Sequence, residues 1–127
     1  MQDILETTEQ RSDAYCQNWS SNIQYSSHGV LLPETVREVM MIVKDKQYRH
    51  VKVIGTRHCF GTIADTRAAT ENKDDKTVHI CTEKLVSTQF STANVAGYDA
   101  PQAVIRFGSG MTYSRLIKAV DAEGLAI

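Results

Sequence analysis

The chain has 127 residues, 42% of them hydrophobic, which suffices for one globular domain and not for two large ones. Its formal net charge of −1, with no cluster of lysine and arginine, excludes a basic nucleic-acid-binding surface. Its 3 cysteines lack a C-x-x-C spacing and its 4 histidines are scattered, which argues against a disulfide framework and a metal site alike.

Residues 1–17 are polar and rich in acids (Asp3, Glu6, Glu9, Asp13), unlike a signal peptide, and read as an N-terminal arm, either mobile or a short exposed helix. The longest apolar run, Val39–Val43, is far too short to cross a bilayer, so a cytoplasmic domain over residues 18–127 is expected. Trp19, the chain's single tryptophan, reads as a buried anchor ahead of a ligand stacker. Gly29–Leu32 is a short strand ended by Pro33. Pro33-Glu34-Thr35 opens a helix, with proline and an acid suited to its first turn. Val36, Val39, Met40 and Val43 recur at i, i+3, i+4 and i+7, which predicts that they form the buried face. A second strand, Val51–Ile54, completes a strand–helix–strand unit whose natural connection is a parallel crossover.

Thr66–Thr77 is a solvated loop by composition, and Val78–Cys81 is a third strand. Ser87–Ala100 reads as polar and irregular, with weak strand potential. Val104–Phe107 is the last strand, followed by Gly108-Ser109-Gly110. A Gly-x-Gly between strand and helix invites a nucleotide-binding reading, but Tyr113 stands where the dinucleotide fingerprint needs its third glycine. Thr112 caps the final helix, and Tyr113, Leu116, Ile117 and Val120 form its predicted buried stripe, ended by Gly124. The fold class is therefore α/β, a small mainly parallel sheet with two packing helices.

The chemistry concentrates where the second strand ends, at Val53, Ile54, Gly55, Thr56, Arg57, His58 and Cys59. Gly55 can adopt backbone angles closed to other residues, and successive N–H groups in such a turn can converge on an anion. Thr56 adds a hydroxyl, Arg57 a fixed charge and His58 an imidazole. From the residues alone, His58 is open to three readings: a surface-turn histidine, half of a Cys–His pair with Cys59, or a cofactor tether.

Gly55-Thr56-Arg57-His58-Cys59-Phe60, continued by Ile63-Ala64-Asp65-Thr66, resembles the pyrophosphate loop of the alditol and xylitol oxidases. These stand with the aldonolactone oxidases in the vanillyl-alcohol-oxidase superfamily, whose FAD-binding domain is of the PCMH type. The likeness also takes in Asn18-Trp19 and Val104–Leu125. The family motif is Gly-(Ser/Thr)-(Gly/Arg)-His-(Ser/Cys)-Phe, and its histidine carries FAD covalently through the flavin 8α-methyl group. The resemblance thus implies that residues 53–59 hold FAD, that His58 is the attachment site, and that the fold is the first subdomain of that FAD-binding domain. It implies oxidation of sugar alcohols or aldonolactones by O2, giving H2O2. Gly61 departs from the family's frequent asparagine. The residues that act on substrate lie in a separate substrate domain of such enzymes, so the 127 residues alone are expected to bind FAD weakly and to form no peroxide. The competing expectation is a non-catalytic remnant or interaction module.

Overall fold

The computed structural model describes residues 16–66 and 74–127. The expectations for residues 1–15, and for the middle of the polar stretch between Thr66 and Thr77, lie outside those residues. The chain divides between Lys84 and Leu85 into two compact units.

The first unit is built on a three-stranded parallel sheet. Its elements are β1 (Val30–Leu31), α1 (Val36–Lys44), β2 (His50–Ile54), a 3-10 turn at Thr62–Ala64 and β3 (Thr77–Cys81). The strand order is β1-β3-β2, so the last strand of the unit is its centre. Val30 lies opposite His79 on one side, and Val51 opposite Val78 on the other. All five residues of β3 are buried, as expected of a parallel strand covered on both faces.

Side chains alternate across such a sheet, and the alternation sorts the core into two layers. Leu31, Val78 and Ile80 face α1 and pack with Ile42, flanked by Val39, Tyr48 and Val51. Val30, Leu32, Ile54 and Cys81 face the other way and pack with Tyr25, flanked by Ile23 and Ala64. Burying Ile42 contributes on the order of 1.5–3 kcal/mol before entropy is counted.

Thr35 caps α1, its side chain accepting a hydrogen bond from the Glu38 N–H, while the Glu38 carboxylate accepts from the Glu34 N–H at 2.7 Å. Such reciprocal bonding resembles a capping box shifted by one residue. The expected buried face is only partly right. Val39 packs on the core, but Val36, Met40 and Val43 are exposed, and Ile42 takes the central place. The cause lies in the segment itself: Val36 and Val39–Val43 are all apolar, so the apolar arc is wider than one face. Contact with the sheet selects within it.

The second unit is a β-hairpin and a helix: β4 (Thr88–Ala93), β5 (Gln102–Phe107) and α2 (Tyr113–Ala122). β4 and β5 pair antiparallel from Thr88 opposite Phe107 to Ala93 opposite Gln102. A regular strand thus stands where composition indicated irregular chain. β4 is exposed at nearly every position, so no burial period marks it. α2 starts as expected, the Thr112 side chain accepting from the Arg115 N–H. It ends with Gly124 N–H donating to Asp121 O and Leu125 N–H to Val120 O, a Schellman motif. Leu116 and Val120 are buried, whereas Tyr113 and Ile117 are exposed, so half of the expected stripe faces outward.

Candidate functional site

β2 delivers the turn. Ile54 is buried in the layer around Tyr25, fixing the end of the strand, while Val53 is exposed beside it. From Gly55 to Gly61 the chain leaves the sheet, and Thr56, His58, Cys59 and Phe60 are all exposed. Arg57 is half-buried, with one guanidinium nitrogen buried; burial pushes up the pKa of the Tyr25 hydroxyl and of the Cys81 thiol, and the Arg57 charge opposes it.

The backbone differs from expectation at one point. Gly55 does not take the left-handed conformation; Arg57 does, at φ 62°. A side chain there costs roughly 1–2 kcal/mol relative to glycine, which fits the alternation of glycine and arginine in the resembled motif. The space that glycine leaves is nonetheless open, since a Cβ built on Gly55 or on Gly61 would meet no atom within 4 Å. Among the described residues, the main-chain N–H groups of Thr56, His58, Cys59, Phe60 and Gly61 donate to no main-chain carbonyl. A turn with a left-handed residue and several uncommitted donors can receive the oxygens of an anion.

The turn is held from behind by Asn18 and Trp19. Asn18 is only 2% exposed. Its Nδ2 donates to Cys59 O at 3.0 Å, and its Oδ1 accepts from the Ile23 N–H at 3.1 Å. Trp19 N–H donates to Arg57 O at 2.8 Å. These bonds bracket His58, one on the residue before it and one on the residue after. Trp19 is 64% exposed, which overturns the buried-anchor reading; its ring stacks on His58, with centroids 5.3 Å apart and planes 21° apart. The buried anchor is Asn18. The imidazole of His58 is held on a second side, with Nδ1 2.9 Å from Thr56 Oγ1.

Behind the turn, the sheet face carries a buried polar network that composition did not reveal. His79 is fully buried, its Nε2 donating to Ala64 O at 2.6 Å while its Nδ1 meets Ser27 Oγ at 2.7 Å. Because a carbonyl can only accept, Nε2 carries the proton and Nδ1 of the neutral ring accepts from Ser27. Burial pushes the His79 pKa below its ordinary value, against the opposing effects of the Ala64 carbonyl and the Asp65 carboxylate. Lys52 donates to Ile63 O and Asp65 O, and Asp65 accepts from the Ser26 N–H and hydroxyl. The chain just after the turn is thereby pinned to the sheet. Tyr25, tilted against His79 with centroids 5.1 Å apart, keeps its hydroxyl buried without a hydrogen-bond partner among the described residues. Alternation along β3 gave the signal for His79, since a polar residue between Val78 and Ile80 must face the opposite layer.

Gly108-Ser109-Gly110 has a different explanation from a nucleotide cradle. Gly108 N–H donates to Ser87 O at 2.8 Å and Gly110 N–H to Leu85 O at 2.9 Å. A Cβ on Gly108 would overlap the Leu85 carbonyl. The glycine is required by this close main-chain approach, and the donors are already used.

Among the described residues, no group of His, Cys, Asp and Glu could hold a metal ion, and no helix is long and apolar enough to cross a membrane. No protein-family model matches the chain. Among solved structures it is similar to cholesterol oxidase from B. sterolicum, with 16% identity, a TM-score of 0.59 and 84% of this chain covered. The chain spans 19% of the length of that oxidase. The likeness is one of fold: a small α/β arrangement found as a segment of a larger oxidase.

Proposed function

We propose that this chain is the FAD-binding portion of a flavoprotein oxidase of the PCMH type, with the turn at residues 53–59 holding the pyrophosphate and His58 tethering the flavin. The observation that carries the reading is the turn itself. The main-chain N–H groups of Thr56, His58, Cys59, Phe60 and Gly61 donate to no main-chain carbonyl among the described residues, its glycine positions are open, and its histidine is exposed beside Trp19 and Thr56. A pyrophosphate needs several donors converging on one side, and this turn has them. The fold shared with part of an oxidase agrees with the reading.

FAD, when bound, supplies hydride acceptance from a carbinol carbon and re-oxidation by O2. The contribution of this chain is binding and orientation. Thr56, His58, Cys59, Phe60 and Gly61 offer main-chain N–H groups to the phosphates. Asn18 keeps the turn from collapsing onto the core by holding Cys59 O, and His58 offers an imidazole nitrogen for the covalent bond. The substrate class proposed is sugar alcohols or aldonolactones, on the strength of the Gly55–Phe60 motif, and the oxidation belongs to the complete protein.

The test is acid precipitation of the full-length protein after incubation with FAD. The expected result is a precipitate that stays yellow, with a flavin-mass adduct on the peptide containing His58, and loss of all colour in His58→Ala. Inorganic pyrophosphate should compete with FAD for the chain. Colour retained in His58→Ala would move the attachment elsewhere, with Cys59 the first candidate.

A further inference from the structure

We infer that Trp19 is a positioning residue for His58: its indole, together with the Thr56 hydroxyl, fixes the imidazole in one orientation so that a ring nitrogen is presented to the bound electrophile. The inference rests on the proposed tether for the identity of that electrophile, the flavin 8α-methyl group. The clamp itself is a matter of this chain's geometry alone.

Three observations combine. The rings of Trp19 and His58 lie nearly parallel, 21° apart with centroids separated by 5.3 Å, so one face of the imidazole is covered. His58 Nδ1 lies 2.9 Å from Thr56 Oγ1, which removes rotation about the ring's own axis. Trp19 cannot drift from this place, because its N–H donates to Arg57 O and its neighbour Asn18 donates to Cys59 O, on either side of His58. An exposed histidine in a turn would otherwise sample several rotamers and lose that freedom on being ordered. A large aromatic that is 64% exposed while its main chain is bonded at this one point is explained by what it covers. Formation of the tether joins two groups that must meet in line, and misplacement by about 1 Å can cost on the order of a hundredfold in such steps.

His58 supplies the imidazole electron pair for the N–C bond, the proton lost from the 8α-methyl group leaves to solvent, and the two electrons released pass through FAD to O2, giving H2O2. Trp19 is neither oxidised nor reduced.

Because Trp19 is the chain's 1 tryptophan, its fluorescence reports on the clamp without any flavin. In the flavin-free protein, indole emission should be quenched by the stacked imidazole, and the His58 ring protons should show an upfield ring-current shift. Both signals should vanish in His58→Gln, and the shift should vanish in Trp19→Leu. With FAD, adduct formation at His58 should slow about tenfold or more in Trp19→Leu and stay within about threefold in Trp19→Tyr, which restores an aromatic face. Thr56→Val should slow it and Thr56→Ser should restore it. Adduct formation without the clamp signals would overturn this role and leave the tether standing. Clamp signals with an unchanged rate in Trp19→Leu would overturn it equally. Clamp signals in a protein that forms no adduct would overturn the tether, and the role with it.

Discussion

The turns that follow β2 and β5 both carry glycine, and they have opposite fates. After β2, the main-chain N–H groups of Thr56, His58, Cys59, Phe60 and Gly61 donate to no main-chain carbonyl among the described residues, and the space around Gly55 is open. After β5, the turn at Gly108 uses its donors on Ser87 O and Leu85 O and has no room for a side chain. The residue pattern is similar, but one glycine keeps a place clear and the other lets two strands of main chain close. A glycine after a strand therefore marks a close approach without saying whether the approaching group is a ligand or the chain itself.

The sharpest way to break this comparison is to add a methyl group to each glycine. Gly108→Ala must push the Leu85 carbonyl away and loosen two hydrogen bonds, and should cost about 3 kcal/mol, read as faster hydrogen exchange across β4 and β5. Gly55→Ala meets nothing and should change stability by about 0.5 kcal/mol or less, while weakening the FAD binding proposed for this turn. Equal losses at the two positions would erase the distinction.

Asn18→Ala tests what keeps the first turn open. It leaves Cys59 O and the Ile23 N–H without their partner and should cost about 2 kcal/mol in urea unfolding, with faster exchange at residues 57–60. Unchanged exchange there would mean that the turn supports itself.

A third test concerns the anchor behind the turn. Burial holds the His79 pKa below its unfolded value of about 6.5. The unfolded chain then takes up a proton that the folded chain refuses, so stability is complete above about pH 6.5 and falls as the pH drops toward the lower folded value. Asp65 and Lys52 face the same ring with opposite signs, and Tyr25 lies tilted against it. His79→Gln should lose this dependence, and a wild-type protein with flat stability between pH 7 and 5 would show that the ring is not buried neutral.

The smallest effect is expected at Arg57. Its left-handed backbone should make stability follow the order glycine, asparagine, valine for substitutions there, over a span of about 1–2 kcal/mol. A valine variant as stable as the glycine one would contradict the conformation.

Much of this architecture was legible from residues. The strands at Val30–Leu31, His50–Ile54 and Thr77–Cys81 follow from β-branched runs, and both helices from Thr35, Thr112 and Gly124. The helix faces were less so, because the apolar arc of α1 is wider than one face and only the sheet decides that Ile42 goes in. β4 shows only weak strand potential in the sequence because Thr88–Ala93 has no buried face, and pairing with β5 makes it a strand. The open turn was located by its motif. Its supporting parts were not: Asn18 acts through contacts 41 residues away, and which residue takes the left-handed angle depends on main-chain closure.

The order of strands has a consequence for synthesis. β1 and β2 never touch each other; each pairs only with β3, the last of the three to leave the ribosome. Until residues 77–81 have emerged, the earlier strands and the inner side of α1 have no sheet to join. Every strand contact of this unit is then long-range in sequence, which slows closure and leaves apolar segments waiting. A nascent chain halted before residue 77 should be sensitive to protease and held by chaperones, and one extended past Lys84 should become resistant in a single step.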